Sequence, residues 1–115
     1  MRNSTFFQRN WGIEIIGVRV VSSGHMLEFR YRILDATKAA PVNDKRITPF
    51  LIDEKTGARL TVPVMDKVGA LRQSSEPKND QTYWMVFANE GKIVRRGDKV
   101  DLSIGKFQAE GIVVD

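Results

Sequence analysis

Between Leu27 and Asp35 the chain reads L-E-F-R-Y-R-I-L-D. Leu27, Phe29, Tyr31 and Ile33 share one parity, and Glu28, Arg30 and Arg32 share the other. Successive side chains of a strand point to opposite faces, so this stretch has one apolar face for a core and one charged face for water. A half-buried strand of this kind confines the chain to folds whose sheets are wet on one side.

The flanking segments extend the pattern. Residues 1–10 are polar apart from Phe6 and Phe7 and read as a flexible arm able to dock through those rings. Trp11 to Val21 is rich in Ile and Val, but its phase slips: Ile13 and Ile15 share one parity, Ile16, Val18 and Val20 the other. Either a bulge at Ile16–Gly17 or a change of sheet there accounts for the slip. Ser22-Ser23-Gly24 is a turn with Gly24 at positive φ, and the strands on either side of it are expected to pair as a hairpin. Asp35 to Arg46 is a long connection in which Ala36–Ala40 forms a helical turn and Pro41 ends it.

Ile47 to Asp53 is the next strand, with Phe50 and Ile52 on one face. Asp53 to Gly57 turns the chain with Gly57 left-handed, and Ala58 to Val64 returns. Pro49 and Pro63 place this hairpin at a sheet edge or give it irregular ends. Val68 and Leu71 are core candidates in a short mixed segment, followed by a solvated loop over Ser74–Asp80. Gln81 to Ala88 is apolar on both faces: Tyr83, Met85 and Phe87 on one, Trp84, Val86 and Ala88 on the other. Ile93 and Val94 begin a short piece that ends in the turn Arg95-Arg96-Gly97-Asp98. Val100, Leu102 and Ile104 then alternate, Gly105-Lys106 turns, and Phe107 to Val114 closes the chain.

Seven or eight short strands at roughly 10-residue spacing, separated by Gly, Pro, Asn or Asp, indicate an all-β fold. An antiparallel immunoglobulin-like β-sandwich over residues 11–115 is expected, with a small barrel as the alternative. The stretch I-V-R-R-G-D-K-V-D-L-S-I-G, Ile93 to Gly105, resembles the Gly-Asp turn and alternating Val/Leu strand of immunoglobulin-like and fibronectin-type sandwiches in exported bacterial proteins. The chain as a whole is similar to an uncharacterised bacterial family of that kind. That resemblance implies a periplasmic or exported location, with the cytoplasm as the alternative. It carries no catalytic residue, and the chain departs from antibody-type domains in lacking the Cys pair.

A chain of 115 residues is one domain by size, and 42% hydrophobic residues suffice for a core. Absence of Cys excludes disulfides, thiolate nucleophiles and Cys-ligated zinc. A net charge of +4, scattered among acidic residues, is weak for a dedicated nucleic-acid binder. No apolar run approaches the roughly 18 residues that span a bilayer. The N-terminal residues lack the apolar region of a signal peptide, so either the protein is not exported or the chain is a mature fragment behind a start Met.

Catalytic chemistry finds little purchase. His25 is the only histidine; zinc or copper sites need more, and beside Ser22 and Ser23 it reads as an exposed turn residue. No nucleophile elbow is present. Asp53, Glu54, Asp98 and Asp101 could approach one another as a cation site or an acid/base pair, but turn carboxylates usually bond their own backbone. Arg96-Gly97-Asp98 matches an adhesion tripeptide where a turn already demands Gly. No enzyme and no cofactor is expected.

Trp84, Val86 and Ala88 should not face water on a one-sided sheet. Their cover is either the chain itself, through the Asp35–Arg46 connection or Phe6 and Phe7, or another protein. Trp and Arg are what interface cores contain. The expected function is therefore a non-enzymatic protein-interaction module, self-associating or binding another protein, with Trp84, Arg30, Arg32 and Val86 as its binding residues. The rival from another class is a small carbohydrate- or nucleic-acid-binding domain using the same side chains together with Arg95, Arg96 and Lys99.

Overall fold

The computed structural model describes residues 4–65, 69–70, 72 and 77–115 of the chain. In chain order its elements are α1 (Ser4–Trp11), β1 (Ile13–Val21), β2 (Met26–Ile33), α2 (Ala36–Asn43), β3 (Pro49–Asp53), β4 (Arg59–Thr61), β5 (Val64–Met65), β6 (Gly69–Ala70), β7 (Thr82–Ala88), β8 (Lys99–Ile104) and β9 (Phe107–Val113). The fold is all-β and sandwich-like, built from two antiparallel sheets. One has the order β1-β2-β7 and the other β4-β3-β8-β9, and β5 and β6 form a separate two-stranded ribbon. Val68 and Leu71, and the loop residues before Pro77, lie outside the described residues.

The alternation in β2 sets the core. Leu27, Phe29, Tyr31 and Ile33 are all fully buried, and antiparallel pairing lays Tyr83, Met85 and Phe87 of β7 beside them. Leu51 of β3, Val100, Leu102 and Ile104 of β8, and Phe107 and Ala109 of β9 complete one cluster. Fully burying side chains of this size contributes about 1.5–3 kcal/mol each. Phe50 and Ile52 share the opposite, half-exposed face of β3, where the Arg59 guanidinium lies 5.1 Å from the Phe50 ring centre. β4 is an edge strand, with Pro63 just beyond it and Pro49 opening β3. Ile93 and Val94 form no strand; Val94 is buried in a loop after a short 3-10 turn.

Two helices depart from expectation. Residues 1–10 are expected as a flexible arm, but Ser4–Trp11 form α1. Phe7 is buried with its ring 5.6 Å from Phe107, and Trp11 meets the same ring edge-on at 5.2 Å. The side chain of Phe6 lies outside the described residues. Gly12 stops the helix at φ +61, a left-handed position, and a Cβ there would sit 2.6 Å from the Asp35 carbonyl oxygen. The Gly12 carbonyl accepts from both Leu34 and Asp35 N–H, and Lys38 Nζ donates to the Arg9 carbonyl at the helix end. Such capping stabilises a helix too short to stand alone.

Pro41 does not end α2, which runs to Asn43. The Asp35 carboxylate accepts from Thr37 and Lys38 N–H at its start. Ala39, Val42 and Asn43 are buried, and Asn43 accepts from the Tyr31 hydroxyl. Arg72, 9% exposed, donates to the carbonyls of Val42 (3.1 Å) and Ile47 (2.8 Å). Packing and this clamp hold the last turn despite the donor that proline lacks. Burial pushes the Tyr31 hydroxyl up from its ordinary value and lowers the Arg72 guanidinium from its own.

Candidate functional site

The wet side of the β1-β2-β7 sheet carries all four residues singled out from sequence. Arg30 and Arg32 alternate outward along β2. Trp84 and Val86 alternate outward along β7 because Tyr83, Met85 and Phe87 point in. The register makes the meeting concrete: Arg30 stands directly opposite Trp84, Glu28 opposite Val86, and Arg32 opposite Thr82. Facing pairs of an antiparallel ladder have Cβ atoms about 4.5–5.5 Å apart, so these side chains are neighbours.

β1 supplies the third column. Its register against β2 shifts between Ile15 and Gly17 while the pairing continues, so the phase slip is a bulge rather than a change of sheet. The shift puts Gly17, which has no side chain, opposite Arg30 and leaves Ile16 49% exposed. The central row across the sheet thus reads Ile16/Gly17, Arg30, Trp84. Above it runs Arg19, Glu28, Val86; below it runs Glu14, Arg32, Thr82; and at the far end lie Val21, Met26 and Ala88.

Charge is distributed unevenly over these rows. Arg19 is paired with Glu28 at 2.9 Å, and Arg32 lies 3.9 Å from both Glu14 and Asp80. Exposed pairs of this kind contribute little to stability, about 0–1 kcal/mol, but they neutralise the flanks. Among the described residues Arg30 has no ion pair, and it is exposed. Trp84 and Val86 are half-buried. Among the described residues, α2 turns its buried residues to the core beside Tyr31, and α1 lays Phe7 and Trp11 on Phe107.

The other candidates separate. His25 is exposed in the hairpin turn, its N–H donating to the Ser22 carbonyl, with Ser22 and Ser23 themselves at positive φ alongside Gly24. Asp53 is buried and accepts from Lys55 N–H and the Thr56 hydroxyl within its own turn. Asp98 accepts from Lys55 Nζ at 2.8 Å and from Arg95 N–H at 2.9 Å, which hold its carboxyl below the usual range. The Arg96-Gly97-Asp98 acid is therefore engaged by its own turn. Among the described residues no group of three or more His, Cys, Asp or Glu is placed to hold a metal ion.

Glu54 and Asp101 do come together. Asp101 also accepts from Gly111 N–H at 2.9 Å. The hydrogen bond between the two carboxyl groups, and their like charge once both ionise, raise the Glu54 pKa above its ordinary value. A carboxyl whose folded pKa is raised adds stability below its unfolded pKa, and that contribution fades as pH rises through the folded value. A side-chain NMR titration is accordingly expected to place the Glu54 midpoint above that of a free glutamate, and Asp101→Asn to bring it down.

Three buried polar residues escaped sequence reasoning, Asn43, Arg72 and Asn89. Asn89 Nδ2 donates to the carbonyls of Gly24 and Val94, and its Oδ1 accepts from Val94 N–H. The local sequence A-N-E-G signals only a turn; of the partners, Val94 lies five residues on and Gly24 lies in the distant β1–β2 turn. A cleft of about 350 Å³ between β4 and the end of β7 is lined by Arg59, Thr61 and Glu90 among apolar neighbours, but Arg59 is committed to Phe50. The chain matches no family model, and no curated protein or solved structure shows significant similarity to it.

Proposed function

We propose that this domain is a non-enzymatic protein-interaction module and that the outer face of the β1-β2-β7 sheet is its binding surface. The observation that carries the reading is the row in which Arg30, without an ion pair among the described residues, stands between bare Gly17 and half-buried Trp84. Protein interfaces concentrate binding energy in a few Trp, Tyr and Arg residues near the centre, ringed by polar groups that exclude water. Here Trp84, Arg30 and Val86 occupy the centre, and the Arg19–Glu28 and Arg32–Glu14 pairs form the ring. Arg32 belongs to the rim, where its loss weakens binding less than loss of Arg30. The partner is another protein, and self-association is the simplest case.

A photo-crosslinking amino acid in place of exposed Thr82, next to this row, tests the reading against the same probe at Gln108 on the opposite sheet. Binding of carbohydrate or single-stranded nucleic acid through the same Arg and Trp is the second reading. Steep weakening of nucleic-acid binding with salt would favour it.

A further inference from the structure

At one side of the sandwich the two sheets meet through the last residues of the chain. Val114 forms a parallel bridge with Val18, Asp115 N–H donates to the Val18 carbonyl, and Val20 N–H donates to the Asp115 carbonyl. Toward the start of β1 this seam opens. Both strands are irregular there: β1 is bulged between Ile15 and Gly17, and the β8–β9 register shifts between Val100 and Leu102, opposite Gly111. Bulges bend edge strands and discourage the addition of a further strand. What they leave is a groove of about 240 Å³ lined by Ile15, Ile16, Gly17, Gly111, Ile112, Val113 and Asp115.

The lining has a distinct chemistry. Ile16 (49%) and Val113 (51%) are two of the exposed large hydrophobic residues of the molecule, and both border this groove. The Asp115 carboxylate lies in the same groove, close to Gly17: a Cβ on Gly17 would be 3.3 Å from Asp115 Oδ2. The Asp115 backbone is fixed by its two bonds to β1, and among the described residues its carboxylate has no ion pair. The volume is below the range of about 300–1,000 Å³ typical of small-molecule pockets. It suits a single long side chain.

We infer that this groove is a docking site for a lysine side chain of a partner protein, its methylene stem lying on Ile15, Ile16, Ile112 and Val113 and its ammonium meeting Asp115. An aliphatic stem with a cationic head covers apolar surface while keeping its charge at a polar end, which matches this lining. The groove adjoins the Arg30–Trp84 row through Ile16 and Gly17, but the inference rests on its own apolar lining and on Asp115 rather than on Arg30 or Trp84.

The test titrates the isotopically labelled protein with Nα-acetyl-lysine methylamide and, in parallel, with Nα-acetyl-norleucine methylamide, which has the stem without the charge. The expected result is a saturable shift of the Gly17, Gly111 and Val113 amide signals with the lysine probe, with affinity falling about fivefold for norleucine and for Asp115→Lys, the upper range of one exposed ion pair. Ile16→Ser, at an exposed position that leaves the core intact, is expected to weaken the lysine probe as well. Absence of a saturable shift at these amides overturns the inference. So does equal binding of the two probes, or lysine binding unchanged in Asp115→Lys.

Discussion

Phe107→Ala is expected to lower the free energy of unfolding by about 3–5 kcal/mol, the range for removing a large aromatic ring from a core. Phe107 is fully buried at the start of β9. Its ring is also the platform for α1, with Phe7 at 5.6 Å and Trp11 edge-on at 5.2 Å. The substitution therefore opens a cavity and removes the ring on which Phe7 and Trp11 of the N-terminal helix pack. Urea unfolding, followed by tryptophan fluorescence and by far-ultraviolet circular dichroism, measures the loss. Phe50→Ala is the comparison: that ring is half-buried on the outer face of β3, so less apolar area returns to water and the cost is smaller.

The second large effect is expected at Asn89. Asn89→Ala leaves Val94 N–H and the carbonyls of Val94 and Gly24 without the side chain that satisfies them. The residue is fully buried, so water does not replace it freely. An unsatisfied buried polar group costs about 1–3 kcal/mol, and the expected total here is about 2–3 kcal/mol because the carbonyls recover part of their loss by relaxing toward solvent. The consequence is local as well as global. Asn89 ties the β1–β2 turn at Gly24 to the loop after β7, so hydrogen exchange at Val94 should accelerate more than at Phe29, whose strand lies in the middle of its sheet. Equal acceleration at both would show that the loss is global only.

Much of this fold is legible in the chain because its signals are local. Alternation in β2 and β8 marks which side chains enter the core, since the period of a strand is two. The phase slip around Ile16 locates the bulge, since one extra residue inverts every side chain beyond it. Gly57, Gly97 and Gly105 mark turns, since each takes a positive φ. The helices are less legible. Ser4–Trp11 has too few apolar residues in register to announce a helix; Phe107, about a hundred residues away, makes it one. α2 runs through Pro41 because Val42 and Asn43 are buried and Arg72 holds the Val42 carbonyl, and none of these contacts is visible locally.

The candidate surface sits between these cases. Two apolar faces on β7 show that Trp84 and Val86 need an explanation, and the parity of β2 puts Arg30 and Arg32 on a wet face. That Arg30 and Trp84 meet depends on the pairing of strands more than fifty residues apart, which periodicity does not encode. Once β2 and β7 are paired, the side chains named separately become one row. The bulge completes that row by placing a glycine on the other side of Arg30.

The central claim is that this row binds a protein partner while contributing little to the fold. The most direct measurement places the photo-crosslinker at Thr82 and compares adduct formation in cells between the otherwise unchanged protein and Arg30→Ala, with thermal unfolding of both recorded. The account predicts a discrete protein adduct from Thr82 and none from Gln108. It predicts that Arg30→Ala reduces the Thr82 adduct about tenfold, the loss of a central arginine worth about 1.4 kcal/mol or more, with the unfolding temperature nearly unchanged. An adduct that persists undiminished in Arg30→Ala, or that forms equally from Gln108, would contradict it.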